Sequence, residues 1–383
     1  MAADLPPEIL SEIFSRLPVR SLLRFRSTSK SLKSLIDSHK FINLHLKNSF
    51  NFNFILRHKN NDLYQLHFPN LTDAVPLNLP FPRNIDPTSS MDLIGSCNGL
   101  LAISNGQIAF TYPNHATEIT IWNTNTRLCF HGFGFDPLTD DYKLLRISWL
   151  CNPPNSFYDS QIRLFSLKTN SWKMIPVMPY VPHYFETNGV FVFTSVHWIM
   201  SRKLDESHPC LIVAFNLTLE RFIEVPLPDE LGGEKVNSDG NGIELSIAVL
   251  GGCLCMIVNY RTTKTDVWVM KQYGSRDSWC KLFTLVNSCF DLSLITWFRP
   301  LGYSSDGSKV LLEIDCRKLV WYDLKSEQVS CVEGIPNLNG DGIRNLNGAL
   351  ICFESLVPPS FPVDNCRKKE NHTSKSKRRY FLY

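Results

Sequence analysis

Few stretches of this 383-residue chain bring reactive side chains together at a spacing that chemistry uses. Residues 302–309, GYSSDGSK, place Gly302 and Gly307 as a phosphate-binding loop would. That loop needs Lys and then Ser or Thr, one for the phosphate and one for magnesium. Here Ser308 precedes Lys309 and the strand-like run VLLEI follows, so the segment predicts a β-turn. Asp136, Asp140 and Asp141 form an acidic turn but lack the further ligands and glycine of a calcium loop, and predict a capped strand end. His183 and Glu186 stand at i and i+3 among prolines rather than on a helix. His197, beside Trp198 in an apolar run, predicts a hydrogen-bonded core histidine. Neither a G-x-S-x-G elbow nor an H-E-x-x-H helix occurs. The twelve cysteines are scattered, and no C-x-x-C pair starts a zinc site. Cys253 and Cys255 alternate in an apolar run, as buried strand thiols do. The expectation is a protein with no catalytic residues, no metal site and no cofactor.

Composition points to a folded chain, with 44% hydrophobic and 20% charged residues. No stretch approaches the roughly 20 apolar residues of a membrane span, and MAADLPPE lacks the basic start of a secretion signal. A protein in the cytoplasm and nucleus is expected, with most cysteines inert core thiols. The net charge of +3 is unevenly spread. Residues 16–47 hold eight Lys or Arg against Asp37 alone, and the last twenty hold seven against Asp364 and Glu370. Residues 48–363 hold 24 basic and 30 acidic side chains, which argues against a broad nucleic-acid surface there. Arg20, Arg24, Arg26, Lys30 and Lys33 could meet phosphates as in a helix-turn-helix. Leu22, Leu23 and Phe25 interleave with them and few polar side chains remain to read bases, so no nucleic-acid partner is expected. The tail segment KSKRR, residues 375–379, fits a nuclear import signal as well as a solvated tail.

The elements that organise the chain begin at its N-terminus. On a helical period, Ile9, Leu10, Ile13, Phe14 and Leu17 make one apolar arc, opposite Glu8, Ser11, Glu12 and Ser15. Pro6 and Pro7 suit the first turn, and Pro18 stops the helix. A second amphipathic segment holds Leu22, Leu23 and Phe25, and a third runs from Leu32 to Leu46. A unit of about 40 residues is at the edge of independent stability. Each buried Leu or Ile is worth roughly 1.5–3 kcal/mol, so so many apolar side chains require a covering partner.

These residues resemble the F-box, the adaptor-binding module of cullin-based ubiquitin ligases, through Leu5-Pro6, Glu8-Ile9-Leu10, Ile13, Leu17-Pro18, Leu22-Leu23-Arg24, Arg26, Ser29-Lys30, Leu35-Ile36, Phe41 and His45-Leu46. The family often carries tryptophan at the position of Leu32 and proline at that of His39. The resemblance implies a Skp-type adaptor, and cullin through it, as partners. It assigns adaptor contact to Leu5, Pro6, Ile9, Leu10, Ile13, Phe14, Leu17, Pro18, Leu22, Leu23 and Phe25.

Residues 50–360 read as strands separated by turn residues. A unit recurs: apolar strand, polar turn, second strand. It is seen in ITIWNTNTRLCF, IRLFSLKTNSWKMIP, IVAFNLTLERFIEVP, DVWVMKQYGSRDSWCKLF and KLVWYDLKSEQVSCV. Second-strand anchors near Arg127, Trp172, Phe222, Trp279 and Val329 lie 45, 50, 57 and 50 residues apart. Another apolar run precedes each: GLLAI, YKLLRI, VHWIM, CLCMIV and KVLLEI. Strands at this period predict an all-β propeller, kelch-like, of about six blades, with a sandwich as the rival. The hairpin NFILRH–LYQLHF and the final run GALICFESL are expected to close the ring together. The expected division is an all-α module over 1–47, the β domain over 48–360, and a basic tail over 361–383.

GSCNGLLAI, IWNTNTR, GFGFDPLTDDYKLLRI, SLKTNSWK, IVAFNLTLERFIEVPLPDE, DVWVMKQYGSRDSW and PLGYSSDGSKVLLEID are similar, in this order, to the F-box-associated interaction domain of plant F-box proteins. The resemblance implies a non-catalytic substrate receptor that recruits a protein target for ubiquitination, with intracellular immune receptors one target class. The residues that bind the target are not legible. The alternative is a sugar-binding or hydrolytic propeller with a helical cap, which would need the paired carboxylates of a glycosidase.

Overall fold

The computed structural model describes residues 6–48, 52–58, 62–67, 71, 74–77, 92–104, 107–112, 115–123, 129–151, 158–176, 178–182, 188–202, 210–231, 243–260, 264–286, 297–315, 318–332, 346–353 and 356. Four short helices come first: α1 (Pro7–Phe14), α2 (Val19–Arg26), α3 (Lys30–Ile36) and α4 (His39–Asn48). Helix α1 ends before Pro18, because Arg16 and Leu17 donate backbone bonds to Ile13 and Phe14 in tighter turns. Pro18 instead begins α2. The third apolar segment is two helices rather than one. Ser29 accepts from the Leu32 N–H to start α3, and Ser38 Oγ accepts from the Phe41 N–H to start α4.

Six antiparallel sheets follow, five of them contiguous in sequence, within 92–123, 129–175, 180–225, 244–286 and 298–331. Each is a four-stranded meander, and the third has an additional short strand. The sixth is composite. Leu346–Phe353 pairs with Phe52–His58, which pairs with Leu63–His67 and then Val75–Pro76. The register includes Phe54↔Ile351 and Ile55↔Leu350, so the last run closes on the first strands as the sequence predicts.

Six apolar layers lie between the sheets in cyclic order. Ile94 and Leu100 of the first meet Phe133 and Leu144 of the second. Leu145 and Ile147 meet Trp198 and Val213 of the third. Ile212 and Ala214 meet Leu254 and Trp268 of the fourth. Cys255 and Val267 meet Val310 and Tyr322 of the fifth. Leu311 and Leu301 meet Phe54 and Leu56 of the sixth. Ile55 and Leu63 return to Leu101 and Ile103 of the first. The cycle makes this all-β domain a β-propeller and excludes the sandwich. It also explains why the second strands, such as Leu100–Ser104 and Cys253–Asn259, are apolar without alternation. They are covered on both faces.

Near the axis the fit is tight. A Cβ on Gly132 would fall 2.4 Å from Val196 Cγ1 and 2.7 Å from Trp198, so only glycine lets the second and third sheets approach there. One expected repeat is not a hairpin. The ITIW of ITIWNTNTRLCF lies in His115–Asn123, the outer strand of the first sheet, whereas LCF enters Cys129–Asp136, the inner strand of the second. Its turn residues join two blades and imitate a hairpin, so the 45-residue spacing is not a blade interval. The anchor Arg127 lies outside the described residues. The anchors Trp172, Phe222, Trp279 and Val329 all lie in fourth strands.

Candidate protein-interaction surfaces

The helical module splits its apolar side chains into two groups. Leu22, Ile36 and Phe41 are buried together, with Phe14, Leu17 and Leu35 packed against them. His45 is fully buried and its Nε2 donates to the Leu17 carbonyl across 2.9 Å, while Asn48 Nδ2 donates to Ser15 Oγ, tying α4 to the end of α1. Outside this core, Ile9, Ile13 and Phe25 remain 49%, 47% and 39% exposed. Ile9 and Ile13 are one turn apart on α1, on one face. The Phe25 ring stacks on Phe14 with centroids 5.1 Å apart, which extends that face onto α2.

The residues read as adaptor contacts therefore separate. Ile9, Ile13, Phe25, Pro6 and Pro18 are exposed, and Leu10, Phe14, Leu17 and Leu23 are half-buried at the rim. Leu22 is at 0% exposure, where it packs α2 against Ile36 and Phe41. A helix of eight residues buries one line of side chains, and Leu22 occupies that line. Leu5 lies outside the described residues.

The module meets the ring beside the sheet that closes it. Three residues separate Asn48 at the end of α4 from Phe52, the first residue of the closing sheet's second strand. The closing strand ends at Phe353, beside Phe52, and Leu356 just beyond it packs on the helical core. His39 of α4 also lies 3.6 Å from Asp140 on a turn of the second sheet, a contact too exposed to contribute much. The helices thus sit at the end of the ring where both chain ends of the sixth sheet emerge.

Polar groups buried in the ring serve the fold. Asp136 is fully buried, and burial alone would raise its pKa. Hydrogen bonds from Thr218, Thr139 and Lys143 overcome that and hold it at about 2. Lys143 lies 2.9 Å from Asp136 and also donates to the Leu217 carbonyl, so the cluster binds the second sheet to the third. Asp141 accepts from Ser166 Oγ and the Lys168 N–H, which makes the acidic turn a strand cap. Glu313 takes Arg299, which also donates to the Ala349 carbonyl and joins the fifth sheet to the closing strand. Asp266 is held by Thr284, Lys264 and Lys281.

The imitation phosphate loop is a turn. Asp306 accepts from Ser304, the Ser308 hydroxyl and the Ser308 N–H, and Gly307 has φ +72°. His197 shares its two nitrogens with the Val190 carbonyl and the Tyr273 hydroxyl, and burial lowers its pKa to about 4. Burial raises the Cys255 and Cys97 thiols and pushes Cys210 up to about 12. Such thiols are poor nucleophiles. His183 and Glu186 lie outside the described residues. Among the described residues no group of three or more His, Cys, Asp or Glu could hold a metal, and no helix is long and apolar enough to cross a membrane.

Comparison with known proteins agrees with this two-part geometry. The F-box domain family matches residues 3–44, and the F-box associated beta propeller domain family matches residues 59–334. F-box protein CPR1 of Arabidopsis thaliana is 33% identical over 365 residues, covering 86% of this chain and 84% of that protein. F-box protein At4g22390 is 28% identical over 86% of this chain and 85% of its own length. An F-box/kelch-repeat protein of the same plant, At3g23880, is 23% identical over 81% of this chain and 85% of its own length. The helical module with its exposed apolar face and the six-sheet ring that follows it are the two parts of one architecture: the chain belongs to the F-box proteins with an F-box-associated β-propeller domain, a family whose members generally serve as non-catalytic substrate receptors of Skp–cullin–F-box ubiquitin ligases.

Proposed function

We propose that this protein is itself such a receptor: its helical module attaches to a Skp-type adaptor and through it to cullin, and its propeller holds a target protein for ubiquitination. The observation that carries the reading is the exposure of Ile9 and Ile13 beside Phe25 on a module whose core is already complete without them. Covering the exposed part of each side chain is worth roughly 1 kcal/mol at 25 cal/mol per Å2. The face is therefore a partner surface rather than an internal one. The chain has no catalytic role in this reading. Transfer of ubiquitin is accelerated because target lysine and charged carrier are held together at raised effective concentration.

A protein target suits the ring. Leu138, Phe193 and Leu219 are well exposed on turns of the second and third sheets. Hydrogen bonds from Thr218 to Asp136 and from Asn216 to Thr194 hold those turns together. Apolar side chains exposed side by side on turns are an ordinary protein-contact surface. Among the described residues, the buried carboxylates Asp136, Asp141, Asp266 and Glu313 are engaged by lysine, arginine, hydroxyl or backbone partners, which supports a structural role for these four. Intracellular immune receptors are the target class proposed here, and KSKRR motivates a place in the nucleus as well as the cytoplasm. The test is co-precipitation with adaptor and cullin. Ile9→Asp with Ile13→Asp places charge in the interface without disturbing the helical core, and binding should fall at least a hundredfold. Wild-type recovery of both partners by the double variant would end the reading.

A further inference from the structure

The exposed face of the helical module is aromatic as well as aliphatic. Phe14 and Phe25 stack with ring centroids 5.1 Å and ring planes 29° apart, and Ile9 and Ile13 extend the face along α1. Leu356, the last described residue, packs on the core of the same module, against Leu22, Ile36 and Phe41. The chain thus reaches the surface of the module at Leu356. The next seven residues, 357–363, read VPPSFPV. They hold three apolar side chains, three prolines and no charge. The twenty residues after them hold seven Lys or Arg. Residues 16–47 are themselves basic, with eight Lys or Arg against Asp37, so charge repels that tail from the module. Only the uncharged segment between Leu356 and the tail suits an apolar face.

Proline fixes φ and removes a backbone donor, so a segment this rich in it favours extended chain at about 3.1 Å per residue. Seven residues then span about 22 Å. A helix with its side chains is about 10–12 Å across, so the segment can reach from Leu356 to the α1–α2 face. Extended proline-rich chain docks on aromatic-lined surfaces because it has little conformational freedom to lose. The stacked rings of Phe14 and Phe25, flanked by Ile9 and Ile13, make such a surface. We propose that residues 357–363 lie across the α1–α2 face in the free protein and are displaced when a Skp-type adaptor binds there. The short tether holds the segment at an effective concentration on the order of millimolar, enough for a contact in cis that yields to a tight partner. A face left open about one-tenth of the time would take up adaptor about tenfold more slowly than a face always open. The displacement rests on the adaptor reading, whereas the contact in cis does not.

The contact in cis is tested on the full chain alone, with a photoreactive benzoyl-phenylalanine in place of Phe361 and the cross-links mapped by mass spectrometry. They should fall within residues 9–25 and disappear when purified Skp-type adaptor is added. Cross-links confined to the ring would overturn the proposal. The consequence is read from the kinetics of adaptor binding. Val357→Ser with Phe361→Ser should associate about tenfold faster than wild type, dissociate at the same rate and melt at the same temperature. A chain ended at Asp364 keeps the segment and should associate like the full chain. Equal association rates for the double variant and wild type would overturn the proposal. So would an equal acceleration on ending the chain at Asp364, which would make the basic tail the cover. A wild-type chain that binds no adaptor would remove the adaptor reading instead, and the cross-links of the free chain would still decide the contact in cis.

Discussion

Ending the chain after Asn347 removes most of the strand that closes the ring. Five of its pairings with Phe52–His58 go, from Phe52↔Phe353 to Leu56↔Ala349. So do the buried Ala349 and Cys352, the half-buried Leu350 and Ile351, and Leu356 on the helical module. Burying these aliphatic side chains contributes about 4–5 kcal/mol. Lost cross-strand hydrogen bonds add about 1 kcal/mol each, and Arg299 loses its acceptor at the Ala349 carbonyl. The total, about 8–10 kcal/mol, is comparable with the whole stability of an ordinary domain. The truncated chain should therefore show no cooperative thermal transition by circular dichroism. A chain ended at Asp364, which loses only the basic tail, should melt with the full-length protein. A midpoint within about 3 °C of full length for the longer deletion would refute the closure argument.

Lys143→Met strands the buried Asp136 and should destabilise the ring by about 3–5 kcal/mol in urea unfolding. Asp136 also sets an acid limb. Its pKa falls from 3.8 to about 2 on folding, so its contribution is complete above pH 4 and is lost as pH drops towards 2. That loss is about 2 kcal/mol. Asp136→Asn should flatten the slope of stability against pH in that window, and an unchanged slope would contradict the assignment. Gly132→Ala sets a methyl against Val196 and Trp198, and should lower stability by about 1–3 kcal/mol, measured the same way. Leu356→Asp should leave the ring's melting intact but speed amide exchange across α1 to α4, since it removes the apolar contact of Leu356 with their core. Unaltered protection of those helices would show that the Leu356 contact does not support them.

The sequence made the fold class readable because its strongest signals are local. Most second strands hold a mainly apolar run, and in the second and third sheets the third-to-fourth turn is short, Leu167–Asn170 and Leu217–Glu220. The blade boundary at NTNTR was misread because a crossing between blades uses the same turn residues as a hairpin. An apolar arc on α1 was legible in the sequence, yet the buried Leu22 was not separable from its exposed neighbours. Whether an apolar residue on α2 faces inward depends on Ile36 and Phe41, which come from other helices. The clasp of Lys143 on Leu217 and of Thr218 on Asp136 was illegible for the same reason: the partners lie 74 and 82 positions apart in the chain. The pairing of Arg26 with Asp37 likewise needs a distance that only the folded module supplies.

The central claim is that one end of this chain assembles a ligase while the ring holds a target. Size-exclusion chromatography with light scattering, on purified full-length protein mixed with Skp-type adaptor and cullin, tests it most directly. The account predicts one stable complex with one copy of each chain, lost when Ile9 and Ile13 are both replaced by Asp and retained when Leu138 and Leu219 are. Separate elution of the wild-type protein from adaptor and cullin at micromolar concentration would contradict it.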